Sequence, residues 1–288
     1  MKKNIIWLAS YPKSGNTWFR AFLTALRNEK DEKLNLNNMK TDGIFSSRLI
    51  FDLISGISAA DLTWEEEAIL RPKVFEQLAQ ENTKELFIKA HDAYTLNTQH
   101  QPLFPTTVSK SAIYFIRNPL DVAVSYAHHN GHEKVEDTIE WMCSLKHGLC
   151  YTKKHLHNQL YQQLFDWSTH VKSWVEQTAI PLHIMRYEDM KLHPITTFTK
   201  AVQALGFNYT SEEIKAAITA TDFQNLKKLE EKTGFSEGST AAKLFFRKGQ
   251  IGSWRAELSE KNVQLIIEKH GAMMKKFKYL NDNNQLVF

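Results

Sequence analysis

The sequence predicts an α/β fold: a single domain with a central, mainly parallel sheet flanked by helices. Three observations point there. Short apolar runs rich in β-branched and aromatic residues alternate with longer helical patterns. The runs show little polar alternation, as expected of strands covered on both faces. Cationic, glycine and hydroxyl residues gather just after the runs, and open α/β sheets bind ligands beyond the carboxyl ends of their strands. With 42% hydrophobic and 24% charged residues over 288, the composition is that of a globular protein and not of a disordered or collagen-like chain. No repeat or low-complexity segment divides the chain, so residues 1–288 read as one domain.

Strands are expected at residues 4–9, 86–89, 112–116 and 181–185. Helices are expected at 17–27, 64–80, 160–177, 195–205 and 211–220. Ser211 with Glu212 and Glu213 makes a helix start, and Gly206 stops the helix before it. Residues 100–110, with Pro102 and Pro105, read as a loop, as do residues 232–242, with Gly234 and Gly238.

The net charge of +4 suits an anionic ligand but lacks the massed basic face that nucleic acid requires. Cys143 and Cys150 are too few for a disulfide scaffold or a four-thiolate zinc site, and suggest a reducing compartment. The N-terminal run Ile5-Ile6-Trp7-Leu8 is too short for a signal peptide and meets no small-residue cleavage site. No apolar run nears the ~20 residues that span a bilayer. The expectation is a soluble, cytoplasmic protein.

After the first strand comes Tyr11-Pro12-Lys13-Ser14-Gly15-Asn16-Thr17-Trp18. A strand ends, a glycine permits a tight turn, and a helix begins near Thr17, so free N–H groups and the positive end of the helix dipole face an anion held there. This is a P-loop-like strand–loop–helix, with Lys13 as a point charge and Ser14, Asn16 and Thr17 as donors. It is not a Walker A loop, because no Lys follows Gly15. After the second strand Lys89-Ala90-His91-Asp92 follows, and after the third Arg117-Asn118-Pro119-Leu120-Asp121, with Ser125 beyond. The planar fork of Arg117 is suited to a phosphate. After the fourth comes Arg186-Tyr187-Glu188-Asp189, and further on Phe246-Arg247-Lys248-Gly249 with Gly252 and Trp254. Singly, each basic site is more often a salt-bridge partner or solvated surface. If the three converge, they imply a ligand with more than one phosphate.

Together these segments resemble the cytosolic-type sulfotransferases, which use 3′-phosphoadenosine 5′-phosphosulfate (PAPS) as co-substrate. Residues 11–18 are similar to that family's 5′-phosphosulfate loop, residues 117–126 to its 3′-phosphate segment, and residues 246–254 to its C-terminal nucleotide motif, in the family's order. The resemblance implies that Lys13, Ser14, Gly15, Asn16, Thr17 and Trp18 hold the 5′ end, with Trp18 also against the adenine. It implies that Arg117, Ser125, Arg247, Lys248 and Gly249 grip the 3′-phosphate. Phe246 belongs to the same nucleotide-binding motif, and Tyr187, Thr221 and Phe223 match the family's adenine contacts. His91 matches the general base of the family's Lys-x-His segment, with Lys13 stabilising the leaving bisphosphate and Lys89 assisting. No metal is needed. Asn16 stands where many members have Thr or Ser, and Ser253 replaces the usual Asp between Gly252 and Trp254. The residues after Trp254 lack the Thr-Val pair of the animal members' dimerisation motif, which leaves the oligomeric state open.

The chemistry fits these residue types. An acceptor hydroxyl must lose its proton as it attacks sulfur, and an imidazole with an ordinary pKa of ~6.5 is suited to take it, help worth about 10²–10⁴-fold. A lone histidine after a strand is usually structural, but His91 sits at a strand's carboxyl end inside the matching motif. Six histidines from His128 to His157 (His128, His129, His132, His147, His155 and His157) lie near Cys143 and Cys150 but at poor spacing for a metal, and read as a polar acceptor wall with surface histidines. The expected acceptor is a hydroxyl or amine of a small molecule. Two alternatives stand beside this reading. One is a P-loop-type small-molecule kinase, against which the missing G-K-[ST] pattern counts; the other is a catalytically silent binder of 3′-phosphorylated adenine nucleotides, disfavoured by His91 and Lys13. Residues 232–242 are expected to be mobile and to fold down as a lid when the 3′-phosphate meets Arg247 and Lys248.

Overall fold

The computed structural model describes residues 2–29, 32–151, 156–238, 241 and 244–288. Its elements begin with β1 (Ile5–Ser10), α1 (Asn16–Arg27), α2 (Arg48–Ser55), α3 (Trp64–Glu81), β2 (Leu86–Ala90), β3 (Ser109–Ile116), α4 (Pro119–Asn130) and α5 (Val135–Met142). The two-residue strands β4 (Gly148–Leu149) and β5 (Gln162–Gln163) precede α6 (Trp167–Val175) and β6 (Leu182–Arg186). The chain ends with α7 (Tyr187–Leu192), α8 (Pro194–Ala204), α9 (Ser211–Ala220), α10 (Phe223–Thr233) and α11 (Glu260–Lys276). The central sheet has the order β2-β1-β3-β6. β1 and β2 run parallel in register from Ile5 beside Leu86 to Ala9 beside Ala90. All six residues of β1 are buried, as its uninterrupted apolar run requires of a strand covered on both faces.

The described chain forms two compact units, each drawn from three stretches of sequence. The first comprises Met1–Tyr11, Thr41–Tyr114 and Ser144–Ile184. Its core is an aromatic box in which Trp7 meets Phe45, Phe75 and Phe104 at ring-centroid distances of 5.2, 5.6 and 5.1 Å. The Trp7 indole N–H donates to the Ser109 hydroxyl at 2.7 Å, so burial leaves no polar group orphaned there. The second unit comprises Pro12–Lys40, Phe115–Cys143 and Met185–Phe288. Its core sets Phe22 against Phe198 at 4.4 Å and Phe19 against Phe115 at 5.2 Å.

Helix starts follow local chemistry. Thr63 and Glu66 form a reciprocal capping box at the start of α3, and Thr210 and Glu213 form another at α9. Asn118 caps α4 by accepting from the Leu120 N–H at 3.1 Å, with Pro119 in the first turn, where its missing N–H costs nothing. The expected helix over residues 160–177 is corrected: only Trp167–Val175 is helical. Upstream, β5 pairs antiparallel with β4, Gly148 beside Gln163 and Leu149 beside Gln162. Phe165 adopts a φ of 58°, a left-handed conformation that no helix continues through. A side chain at Gly148 would come within 2.5 Å of the Tyr161 ring, so this pairing needs glycine there. Among the described residues no helix is long and apolar enough to cross a membrane.

Candidate active site

The loop after β1 opens the second unit. Lys13 has a φ of 66°, and Gly15, which caps α1, a φ of 105°. A Cβ on Gly15 would lie 3.0 Å from the Tyr187 ring, so both backbone angle and space require glycine. Successive backbone N–H groups in such a loop, leading into a helix N-terminus, form an anion cradle. The Ser14 hydroxyl is buried without a protein partner, as is the Trp18 indole N–H.

The cationic residues of all three sequence motifs meet in this unit. Arg117, 7% exposed, donates to the Lys13 carbonyl at 3.3 Å and to the Gln250 carbonyl at 3.1 Å, while its guanidinium lies 4.2 Å over the Tyr187 ring. Its Nε has no protein partner. Lys13, Ser125, His128, Phe245 and Arg247 line one small hollow. Within it the Lys13 ammonium lies 3.7 Å over the Phe245 ring. Trp18, Phe223 and Phe246 share one apolar cluster, and Trp18 also packs edge-on against Tyr187 at 5.9 Å. Gly249, at a φ of 60°, lies so close to Phe223 that a Cβ would fall 2.0 Å from its ring. Thr221 is fully buried, its hydroxyl donating to the Ala217 carbonyl at 2.7 Å.

Three acids hold this assembly together, and the sequence offered no reading of them. The buried Asp121 carboxylate accepts from the Gly252 N–H at 2.8 Å, the Ser253 hydroxyl at 2.9 Å and the Trp254 N–H at 3.1 Å. Ser253 thus supplies a donor to Asp121. Glu188, fully buried, accepts from the Asn118 N–H at 3.0 Å and the Tyr279 hydroxyl at 3.1 Å. Burial raises its pKa, against the pull of the Asn118 N–H. Glu257 accepts from Arg247 at 2.9 Å, Lys248 at 2.6 Å and His128 at 2.7 Å. Its partial burial opposes ionisation, but those three donors outweigh it and hold the pKa at about 2. Lys191, likewise unread, lies 5.5 Å over Trp18 and 5.7 Å over Phe223. Burial lowers its pKa, as does the nearby Arg117 charge.

Lys89 and His91 belong to the first unit. His91 follows β2, and its Nδ1 lies 2.8 Å from the Ser10 carbonyl and 3.2 Å from the Ser10 hydroxyl. A carbonyl only accepts, so Nδ1 carries the proton and the basic lone pair resides on Nε2. The backbone here is pinned from α6: His170 Nε2 donates to the His91 carbonyl at 2.8 Å, and Trp174 Nε1 to the Asp92 carbonyl at 3.0 Å. Asp92, 1% exposed, is tied to Arg71 at 2.8 Å, which anchors the loop. Burial raises the pKa of Asp92, against the pull of Arg71.

The histidines of residues 128–157 fall in both units. His132 bonds the Thr138 hydroxyl at 2.8 Å and His129 meets Phe245 edge-on. In the first unit His147 bonds the Tyr11 hydroxyl at 2.9 Å, and burial lowers its pKa to about 4. His155 lies outside the described residues. No cluster of three or more His, Cys, Asp or Glu suited to a metal occurs among the described residues. In the expected lid, Lys232 and Thr233 prove to be the last turn of α10. Ser236 N–H bonds Asn37 at 2.7 Å, and Glu237 accepts from Nη1 and Nη2 of the buried Arg20 at 2.8 and 2.6 Å. Ser239, Thr240 and Ala242 of that stretch lie outside the described residues.

The sulfotransferase domain family matches residues 3–278. The chain is 27% identical to cytosolic sulfotransferase 1 of Arabidopsis thaliana over 285 residues, covering 92% of this chain and 77% of that one. It is 27% identical to flavonol 3-sulfotransferase of Flaveria bidentis over 294 residues, covering 93% and 82%. Among solved structures, a mouse sulfotransferase complexed with PAP aligns with a TM-score of 0.59 at 21% identity, over 96% of this chain and 90% of that chain. Retinol dehydratase in complex with androsterone and the inactive cofactor PAP aligns at 0.63 and 20% identity, over 98% and 84%. At these identities the structural likeness speaks for the fold.

Proposed function

This chain belongs to the sulfotransferase domain family, and from that premise we propose that it moves a sulfuryl group from PAPS to a hydroxyl or amine of a small molecule. The observation that carries the nucleotide assignment is the meeting of Lys13, Ser125 and Arg247 on one hollow, with Arg117 bonded to the Lys13 carbonyl. The residues suit a phosphorylated adenine nucleotide. Ser14 Oγ, Trp18 Nε1 and Arg117 Nε are buried donors that lack a protein partner, and burying such groups is costly unless something satisfies them. Trp18, Tyr187 and Phe223 supply aromatic surface for the base, while Arg117, Ser125, Arg247, Lys248 and Gly249 supply donors for the 3′-phosphate.

PAPS supplies the activated sulfuryl group. His91 Nε2 takes the acceptor's proton as the new bond to sulfur forms. The bond from sulfur to the bridging phosphate oxygen breaks, its electron pair stays on that oxygen, and Lys13 stabilises the charge that develops there. Loss of such a preorganised donor typically costs about 2.7–4 kcal/mol of barrier. Lys89 assists. Placement and charge are the main contributions open to an enzyme of in-line group transfer. The flavonol relative's name supports a small-molecule acceptor, and the cytosolic names of relatives support a cytoplasmic setting. We propose further that residues 1–288 act as one sulfotransferase domain.

The test is transfer of labelled sulfate from PAPS to a panel of phenols, alcohols and amines, read by mass, with His91→Ala in parallel. The variant should lose at least about 10²-fold in turnover and keep its affinity for PAP. Near-normal turnover would remove His91 from the chemistry. Binding of PAP without transfer to any acceptor would favour the silent binder.

A further inference from the structure

Three donors converge on one carboxylate at the edge of the hollow. Arg247 Nη2 and Lys248 Nζ both reach Glu257 Oε1, at 2.9 and 2.6 Å, and His128 Nε2 meets Oε2 at 2.7 Å. Two full positive charges and a ring N–H around one −1 group exceed what a carboxylate needs and match what a phosphate with its three oxygens offers. Glu257 comes from a rigid source. The turn before it is fixed by Asp121 through Gly252, Ser253 and Trp254, and the Glu257 N–H itself bonds the Trp254 carbonyl at 3.0 Å. Its backbone is therefore held close to the two cations, and only side-chain hydrogen bonds tie its carboxylate to them. The cluster is also reachable: Arg247, Lys248 and Glu257 keep 32%, 39% and 22% of their side-chain surface exposed. His128 lies one helical turn beyond Ser125 on α4, so the two share a face, and both line the hollow with Arg247.

We propose that Glu257 is an internal counter-ion that occupies the cations of the 3′-phosphate subsite and is displaced when a 3′-phosphorylated nucleotide binds. It thereby weakens the grip on that phosphate specifically. The inference rests on the assignment of Arg247 and Lys248 to the 3′-phosphate made above. The carboxylate and the phosphate are like charges competing for the same donors, so each lowers the occupancy of the other. Part of what the cations offer the nucleotide is thus offset by what they give up on leaving Glu257. The effect is confined to ligands that carry the 3′-phosphate. A nucleotide without it has no reason to disturb the cluster.

Calorimetry on the full chain with two probes, PAP and adenosine 5′-monophosphate, tests this. The wild type should prefer PAP. Glu257→Gln, which keeps the shape and removes the charge, should bind PAP about tenfold more tightly, within the usual range of coupling between sites. Its affinity for adenosine 5′-monophosphate should stay within about twofold of wild type. Glu257→Asp withdraws the carboxylate by one methylene and should tighten PAP by a smaller factor, a second reading should the Gln variant fold poorly. Unchanged or weaker PAP binding in both variants would overturn the proposal, making Glu257 a positioning residue for Arg247 and Lys248. Equal tightening of both nucleotides would also overturn it. A wild type that does not distinguish the two nucleotides would instead remove the 3′-phosphate assignment, and the inference with it.

Discussion

Asp121 is a weak point in the nucleotide half of the proposed site, although it touches no nucleotide in the proposed arrangement. Its carboxylate accepts three hydrogen bonds from one turn, at 2.8, 2.9 and 3.1 Å, from Gly252, Ser253 and Trp254. In Asp121→Ala the Ser253 hydroxyl can turn to another acceptor, but two backbone N–H groups cannot. A buried donor left unmet costs roughly 1–3 kcal/mol, so two cost about 2–6 kcal/mol before relaxation. Neighbouring losses are not additive, and we expect a net loss of about 3–4 kcal/mol. Against a typical domain stability of about 5–15 kcal/mol the variant still folds. Its turn loosens, however, and Arg247 to Gly249 lie directly upstream. PAP affinity should therefore fall together with stability. Asp121→Asn keeps one oxygen for two of the donors but sets its amide N–H₂ against the third, and should lose about half as much. Urea unfolding with the slope checked for constancy gives the stabilities, and calorimetry gives the affinity. A loss below about 1 kcal/mol in Asp121→Ala, equal to that of Asp121→Asn, would refute the claim that this carboxylate holds the turn.

Two further expectations follow from the geometry. Gly249→Ala should destabilise by at least about 1 kcal/mol from the left-handed backbone alone and should cost PAP affinity, since its Cβ would fall 2.0 Å from the Phe223 ring; an unaffected melting temperature and affinity would count against that close approach. His147 and His170 both have folded pKa values lowered from 6.5 to about 4, chiefly by burial. The unfolded chain thus binds more protons below pH 6.5, so the stability these residues contribute is fully present above that pH and is lost as pH falls from 6.5 toward 4, by about 3 kcal/mol for each. In urea titrations across that window His147→Gln should lessen the slope, and an unchanged slope would dissociate His147 from the acid sensitivity.

The candidate site residues of this protein were legible because their signals are local. A strand that ends in Lys13-Ser14-Gly15, or in Arg117-Asn118-Pro119, announces a βα turn and its donors within eight residues. The helix over 211–220 was equally readable, since its cap and acidic first turn lie inside the segment itself. Residues 160–177 misled for the same reason: their local pattern favours a helix, and the pairing of Gln162 with Leu149 that breaks it comes from elsewhere in the chain. Charge gave no guide to Asp121, Glu188 or Glu257, which in a list of 32 acidic residues look like any others.

By itself, then, the amino-acid sequence determined the α/β class, the order of the nucleotide motifs, and His91 and Lys13 as the reactive candidates. The class follows from steric and hydrogen-bonding preferences among near neighbours, whereas the motif order and the choice of His91 follow from the family resemblance. Only the tertiary structure decided what each side chain meets. Ser10 selects the tautomer of His91 across 81 residues, Arg71 claims Asp92, Asp121 reaches 131 residues to Gly252, and Glu257 takes hold of Arg247 and Lys248 together with His128. Such partners are set by strand register and by the packing of distant helices, and a buried carboxylate takes its role from whichever donors that packing delivers to it.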